Sequence, residues 1–171
     1  MRTLALLLAT AAALPAAAIP EPSGATARIR PSAAEEASFV LSADGVHVFE
    51  CKPVAGGFSW TFVAPDVTLY DGGRSVATQT VPNQWESSSD RSSVSATVRS
   101  TQAAGQVALP WALMTAVPLS ESGMFAGVTS IQRVNTAGGV APASGCGATS
   151  AGSEARVPFT ADYYFYKRRA G

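Results

Sequence analysis

Val157-Pro158-Phe159-Thr160-Ala161-Asp162-Tyr163-Tyr164-Phe165-Tyr166 is the stretch that decides the fold class. Phe159, Ala161, Tyr163 and Phe165 fall on alternate positions, with Asp162, Tyr164 and Tyr166 between them. Successive side chains of a strand point to opposite faces, so the first set shares one face and the second set the other. A helix of period 3.6 would scatter both sets around its circumference.

Upstream, the same period-two pattern returns in short runs separated by turn residues. Val94-Ser95-Ala96-Thr97-Val98-Arg99 alternates apolar with polar, and Trp111 to Val117 and Gly127 to Val134 are further strand candidates. Phe39-Val40-Leu41 and Val46 to Cys51 flank Asp44-Gly45, a hairpin dipeptide. In the second of these runs His47, Phe49 and Cys51 share a face. Gly56-Gly57 precedes Phe58-Ser59-Trp60-Thr61-Phe62, Ala64-Pro65-Asp66 predicts a break before Val67 to Tyr70, and Asp71-Gly72-Gly73 turns into Arg74 to Thr80. The expectation is an all-β single domain over residues 39–167, an antiparallel β-sandwich or barrel of about eight or nine short strands, with a tail at 168–171.

Of 171 residues, 47% are hydrophobic and 14% charged, a balance that favours a packed core over disorder. Twelve basic side chains offset 12 acidic ones, which argues against a nucleic-acid partner. A single histidine removes any site that needs two from one chain. Met1-Arg2-Thr3, the apolar run Leu4 to Ala13 and the small residues Ala16-Ala17-Ala18 read as a signal peptide over 1–18, too short to span a membrane. Residues 19–38, rich in proline at their start, are expected to form a flexible leader, with a short helix predicted by the capping box Ser32-Ala33-Ala34-Glu35. No later segment reads as transmembrane. The chain is therefore expected to be exported, to the periplasm or the medium. In that setting Cys51 and Cys146 most simply form one disulfide, the alternatives being two free thiols or half of a metal site.

Motifs for chemistry are sparse. The glycine-rich run Gly138 to Gly145 lacks the lysine of a phosphate loop and the parallel βαβ setting of a dinucleotide fold, so no cofactor is expected. No Gly-x-Ser-x-Gly elbow surrounds any serine, and His47 sits mid-strand without a partner motif. No metal is expected, because the chain offers two thiols and His47 against the four ligands of tetrahedral zinc. Glu86 and Asp90 form the one carboxylate pair singled out as catalytic candidates. Trp85, flanked by Asn83-Gln84 and Glu86-Ser87-Ser88, is expected to be the exposed tryptophan, with Trp60 and Trp111 in the core. Trp85, Glu86, Arg133 and Asn135 are the candidate ligand contacts, with a saccharide or another extracellular ligand as partner.

Gly45-Val46-His47-Val48-Phe49-Glu50-Cys51, Trp60 to Asp66, Trp85-Glu86, Leu109-Pro110-Trp111, Gly127 to Thr136, Gly138 to Pro142, Gly145-Cys146 and Arg156 to Tyr166 together resemble an exported bacterial and fungal family of unknown function, number 3455 in the domain-of-unknown-function series. The likeness runs from about Gly45 to Tyr166, and both cysteines match, in keeping with a disulfide. Some fungal members carry a malate dehydrogenase label. The missing nucleotide fingerprint and the short, β-rich sequence speak against it here. The family pattern has a histidine and a glycine–proline pair shortly before Trp-Glu. This chain has Gln79 and Pro82-Asn83 there, so a function resting on that histidine is not expected. The resemblance implies no activity. The sequence alone favours a non-catalytic binding or surface-associated β module, with a carbohydrate-active enzyme using Glu86 and Asp90 and a purely structural secreted protein as alternatives. Its oligomeric state is not legible.

Overall fold

A computed structural model describes residues 18–170; the segment read as a signal peptide lies almost wholly outside them. Eight antiparallel strands follow one another around a closed barrel: β1 (Glu35–Val54), β2 (Gly57–Asp71), β3 (Arg74–Val81), β4 (Gln84–Ser87), β5 (Ser93–Gln102), β6 (Trp111–Pro118), β7 (Val128–Gly138) and β8 (Glu154–Arg168), with β8 pairing back onto β1. Every neighbour in space is a neighbour in sequence except at the closure, which is the up-and-down barrel arrangement. Of the two architectures open from sequence, the barrel is the one formed.

The alternation in the last strand is realised. Phe159, Ala161, Tyr163 and Phe165 are buried inside the ring. Phe39 stacks on Phe165 at 4.7 Å between ring centroids, and Phe125 packs against both. Val67, Leu69, Ala77, Val94 and Met114 complete this interior.

Two expected turns are instead strand interior. Asp44-Gly45 lies within β1, where Gly45 is paired with Val67 of β2 on one side and Phe159 of β8 on the other. Glycine serves close approach here rather than reversal, because an added Cβ would stand 2.2 Å from the Asp66 carbonyl oxygen. Gly45→Ala is accordingly expected to destabilise the fold by about 1–3 kcal/mol, the overpacking range, as read by denaturant midpoint. Ala64-Pro65-Asp66 likewise lies inside β2. Pairing of β2 with β3 begins only at Val67 and Gln79, so Pro65 sits where one edge of β2 needs no N–H donor.

The leader also differs from its expectation. A 3₁₀ turn at Ala27–Ile29 presses Ile29 into a second apolar cluster on the outside of the barrel, with Leu113, Val134, Trp111 and Tyr164. Gln132 donates to the Ile29 carbonyl at 2.8 Å, Tyr166 donates to Gln132 at 2.8 Å, and Ser100 donates to the Arg28 carbonyl at 2.7 Å. Residues 22–30 thus cover the outward face of β6, β7 and β8, which explains why Tyr166 on the polar side of β8 is buried. Half of the Ser32–Glu35 capping box forms, since the Glu35 carboxylate accepts the Ser32 N–H at 3.0 Å, but the Glu35 N–H goes to the Ser32 carbonyl, which closes a turn that no helix follows. Glu35 is already paired with Arg168 of β8, and its carboxylate also accepts the hydroxyls of Thr129 and Ser130, so the chain enters β1 at once.

Candidate functional site

One end of the barrel is filled by Trp85, Phe39, Phe125 and Phe165; the other opens into a cavity of about 440 Å³. Its walls come from distant parts of the chain: His47 and Phe49 of β1, Phe62 and Pro65 of β2, Gln79 of β3, Asn83 of the β3–β4 turn, Leu109 of the β5–β6 loop, Arg133 of β7, and Gly139, Val140 and Ala141 of the following loop. Eight strands leave an interior just wide enough to fill with side chains or to hold one small ligand, and here the two options divide the barrel lengthwise.

His47 is buried, with its ring stacked on Phe159 at 4.4 Å and tilted against Phe62 at 5.1 Å. Nδ1 lies 3.0 Å from the Gly139 carbonyl oxygen. A carbonyl only accepts, so the neutral ring donates from Nδ1 and keeps its lone pair on Nε2. Burial holds the imidazole pKa below its ordinary value and the Arg133 charge adds to this, against the opposing pull of the Gly139 bond. Gly139 allows that contact: its φ is +76°, and a Cβ would stand 2.7 Å from the Phe159 ring and 3.2 Å from His47 Nδ1.

Arg133 alternates in phase with buried Ile131 and therefore turns inward, opposite Tyr163 of β8. Nη2 donates to the Pro110 carbonyl at 2.9 Å, while Nε is buried with no hydrogen-bond partner. Tyr163 is buried, and its hydroxyl donates to Gln79 Oε1 at 3.3 Å. Burial raises the phenol pKa, and the neighbouring Arg133 charge pulls against it. His47, Gln79, Asn83 and Arg133 are thus the polar side chains of an otherwise apolar mouth, and the buried Tyr163 holds Gln79. Gln79, where the sequence departs from the family pattern, belongs to this set.

The four contacts expected from sequence do not meet. Arg133 alone lines the mouth. Trp85 is fully buried at 0% exposure, edge-on to Tyr163 at 5.2 Å, so its expected surface position is overturned. The half-buried tryptophans are Trp60 and Trp111. Asn135 is exposed on the barrel flank, donating to Asp162 at 2.8 Å. Glu86 faces outward beside the buried Trp85 and pairs with Arg91 at 2.8 Å.

Asp90 is a clasp between two loops. Its carboxylate accepts the Ser92 hydroxyl at 2.6 Å and N–H at 2.9 Å, and the Met124 N–H at 2.8 Å. Those bonds to Ser92 and Met124 hold its pKa well below the usual carboxylate range. A carboxyl this acidic, with its oxygens engaged, is ill placed to act as a general acid.

The disulfide joins Cys51 to Cys146, with Cα atoms 5.3 Å apart. It ties the end of β1 to the loop between β7 and β8, and Trp60 Nε1 adds a bond to the Ser144 carbonyl at 2.8 Å. The same loop supplies Gly139 to Ala141, so the covalent tie frames one wall of the cavity.

Residues 73–167, more than half of the chain, match the family described as "Protein of unknown function (DUF3455)". The chain belongs to this family. The DUF3455 match takes in β3 to nearly the end of β8, and with them Gln79, Arg133, Cys146 and the loop that walls the mouth. The strands that bring His47, Phe49 and Phe62 to the same cavity precede the matched segment. No curated protein and no solved structure matches the chain.

Proposed function

We propose that this DUF3455 chain is an exported, non-catalytic binding module and that its ligand seat is the open mouth of the barrel. The observation that carries the proposal is the cavity itself. Its volume falls within the roughly 300–1,000 Å³ of small-molecule sites, and its walls are apolar with a few convergent polar groups, the usual make-up of a barrel-mouth site. Its charged or titratable side chains are His47 and Arg133, with no carboxylate, serine or thiol among the lining residues to serve as nucleophile or acid. Glu86 and Asp90 stand on or beside β4, whose Trp85 belongs to the filled part of the barrel, each already engaged.

Export is supported by the disulfide, which persists in an oxidising periplasm or extracellular medium. Among the described residues no helix is long and apolar enough to cross a membrane.

The test is the unfolding midpoint of the oxidised protein against saccharides, nucleotides, metal ions and apolar acids. A ligand specific to the folded state adds about 2.7 kcal/mol at a hundredfold excess over its dissociation constant. The expected result is a shift that Leu109→Trp, which fills the mouth, abolishes and Glu86→Gln leaves intact. Turnover of a saccharide lost in Glu86→Gln would overturn the reading in favour of an enzyme. An unmoved midpoint across the panel would leave a structural secreted protein.

A further inference from the structure

Arg133 bonds the Pro110 carbonyl, but nothing in that bond requires the charge of an arginine. Arg30, Arg91, Arg156 and Arg169 each pair with a carboxylate on the surface, whereas Arg133 makes no ion pair among the described residues. It faces inward, into a mouth lined by no acidic side chain. One amino group is spent on the Pro110 carbonyl, and Nε–H is buried and unpartnered. A buried donor left unsatisfied is costly, and an uncompensated charge more so. Replacing such a group by an apolar side chain of similar volume is often neutral or stabilising. An unpaired charge that lines a cavity is placed where a ligand can use it.

From this cluster we infer, resting on the reading of the mouth as a binding site, that the ligand is an organic anion whose carboxylate seats on Arg133 and whose apolar body lies along the mouth. The guanidinium has further N–H donors beyond the one given to Pro110, and a carboxylate oxygen that reached one would gain a charge-assisted bond, strengthened by the low dielectric of the mouth. Gln79 and Asn83 are the neutral amides whose N–H groups can serve the second oxygen, His47 can donate to it only once its Nε2 is protonated, and none of the three brings a negative charge. A cationic ligand would meet Arg133 with no counter-charge in the cavity.

The rim describes the rest of the molecule. Val54 at the end of β1, Phe58, Phe62 and Val63 on β2, and Val81 at the end of β3 are large apolar side chains left exposed at this end of the barrel. Apolar surface gathered around a concave site marks a place where apolar ligand atoms leave water. A head held inside and a tail passing this rim would use both features.

Octanoate and octanol test the inference, because they share a chain and differ in the head. Calorimetric titration of the oxidised protein is expected to show octanoate binding tighter than octanol. In Arg133→Met the octanoate affinity should fall about ten- to a hundredfold, the range of a hydrogen bond to a charged group, while octanol is unaffected. Arg133→Lys, which keeps the charge but not the fork, should retain part of the affinity. The unliganded unfolding midpoint of Arg133→Met should equal or exceed that of the parent, which separates ligand recognition from a structural role. Equal affinities for octanoate and octanol, both lost in Leu109→Trp, would overturn the anion assignment and leave the binding mouth standing. No binding of either probe would overturn both. A lower midpoint in Arg133→Met with octanoate affinity unchanged would assign Arg133 to the fold.

Discussion

Trp85→Ala is expected to lower stability by about 3–5 kcal/mol, the range for removing a large aromatic from a core. Trp85 is wholly enclosed, edge-on to Tyr163 and to Phe165 at 6.2 Å, so its removal leaves a cavity that the rigid ring can close only in part. β4 has only four residues, paired with β3 on one side and β5 on the other, and Trp85 is its one large apolar side chain. Denaturant unfolding followed by far-UV dichroism measures the loss. A ΔΔG below about 1 kcal/mol, the scale of most surface substitutions, would mean that Trp85 is exposed after all. Trp85→Phe should recover most of the stability, since it keeps an aromatic in the same place, and the Trp85 indole N–H has no hydrogen-bond partner to lose.

The second large effect belongs to the disulfide. Joining cysteines 95 positions apart removes unfolded-chain entropy worth about 4–5 kcal/mol in the loop-closure treatment, and removal of native disulfides typically costs 2–5 kcal/mol. Cys51→Ser with Cys146→Ser should therefore lower the denaturant midpoint substantially, and reductant should do the same to the parent protein. The consequences for the mouth are more specific. Gly139 to Ala141 and Ser144 are held on the loop that the disulfide anchors, so the variant should also bind any mouth ligand more weakly than its stability alone explains. Intact mass with and without reductant should differ by two hydrogens. An identical midpoint in the double variant would show that the bond is dispensable to the fold.

These two residue sets also show what could be read from the chain. The inward face of β8 was legible because ten consecutive positions alternate without interruption, and the closing turn Asp71-Gly72-Gly73 because glycine there has no competing role. Asp44-Gly45 and Pro65 misled for a physical reason. Glycine and proline punctuate turns, but they also occur where two backbones approach closely or where an edge lacks a partner, and only the paired strands tell these cases apart. Trp85 misled because β4 is too short to show its period. Gln84 and Glu86 are partly exposed, Trp85 and Ser87 are buried, and the polar neighbours hid that alternation.

The mouth was only partly legible. His47 and Phe49, expected on one face of their strand, both line the mouth, and so does Arg133, one of the expected contacts. What joined them was ring closure, which brings β1 and β7 to opposite sides of β8 and has no signature in linear spacing. Arg133 carried one further sign: a charge two positions after Ile131, in phase with the apolar face of its strand, is a charge aimed at the interior. Asn135 shares that phase but lies at a positive φ of 51°, past a register shift in the pairing with β8, and so turns out to the flank.

The chain has a single histidine, so one imidazole resonance reports on the mouth without assignment. A proton NMR titration of His47 in the oxidised protein, with and without octanoate and with the pH kept above the carboxylate range, tests the central claim most directly. Free, the imidazole should titrate below its ordinary value, because it is buried and faces Arg133 of β7, while its other neighbours Phe62, Phe159 and the Gly139 carbonyl carry no charge. A carboxylate seated on Arg133 offsets that cation and favours the imidazolium, so the account predicts a displaced resonance and a higher midpoint in the complex, with affinity rising as the pH falls. Octanoate that binds by calorimetry while the His47 resonance and its titration stay unmoved would place the ligand elsewhere and contradict the account.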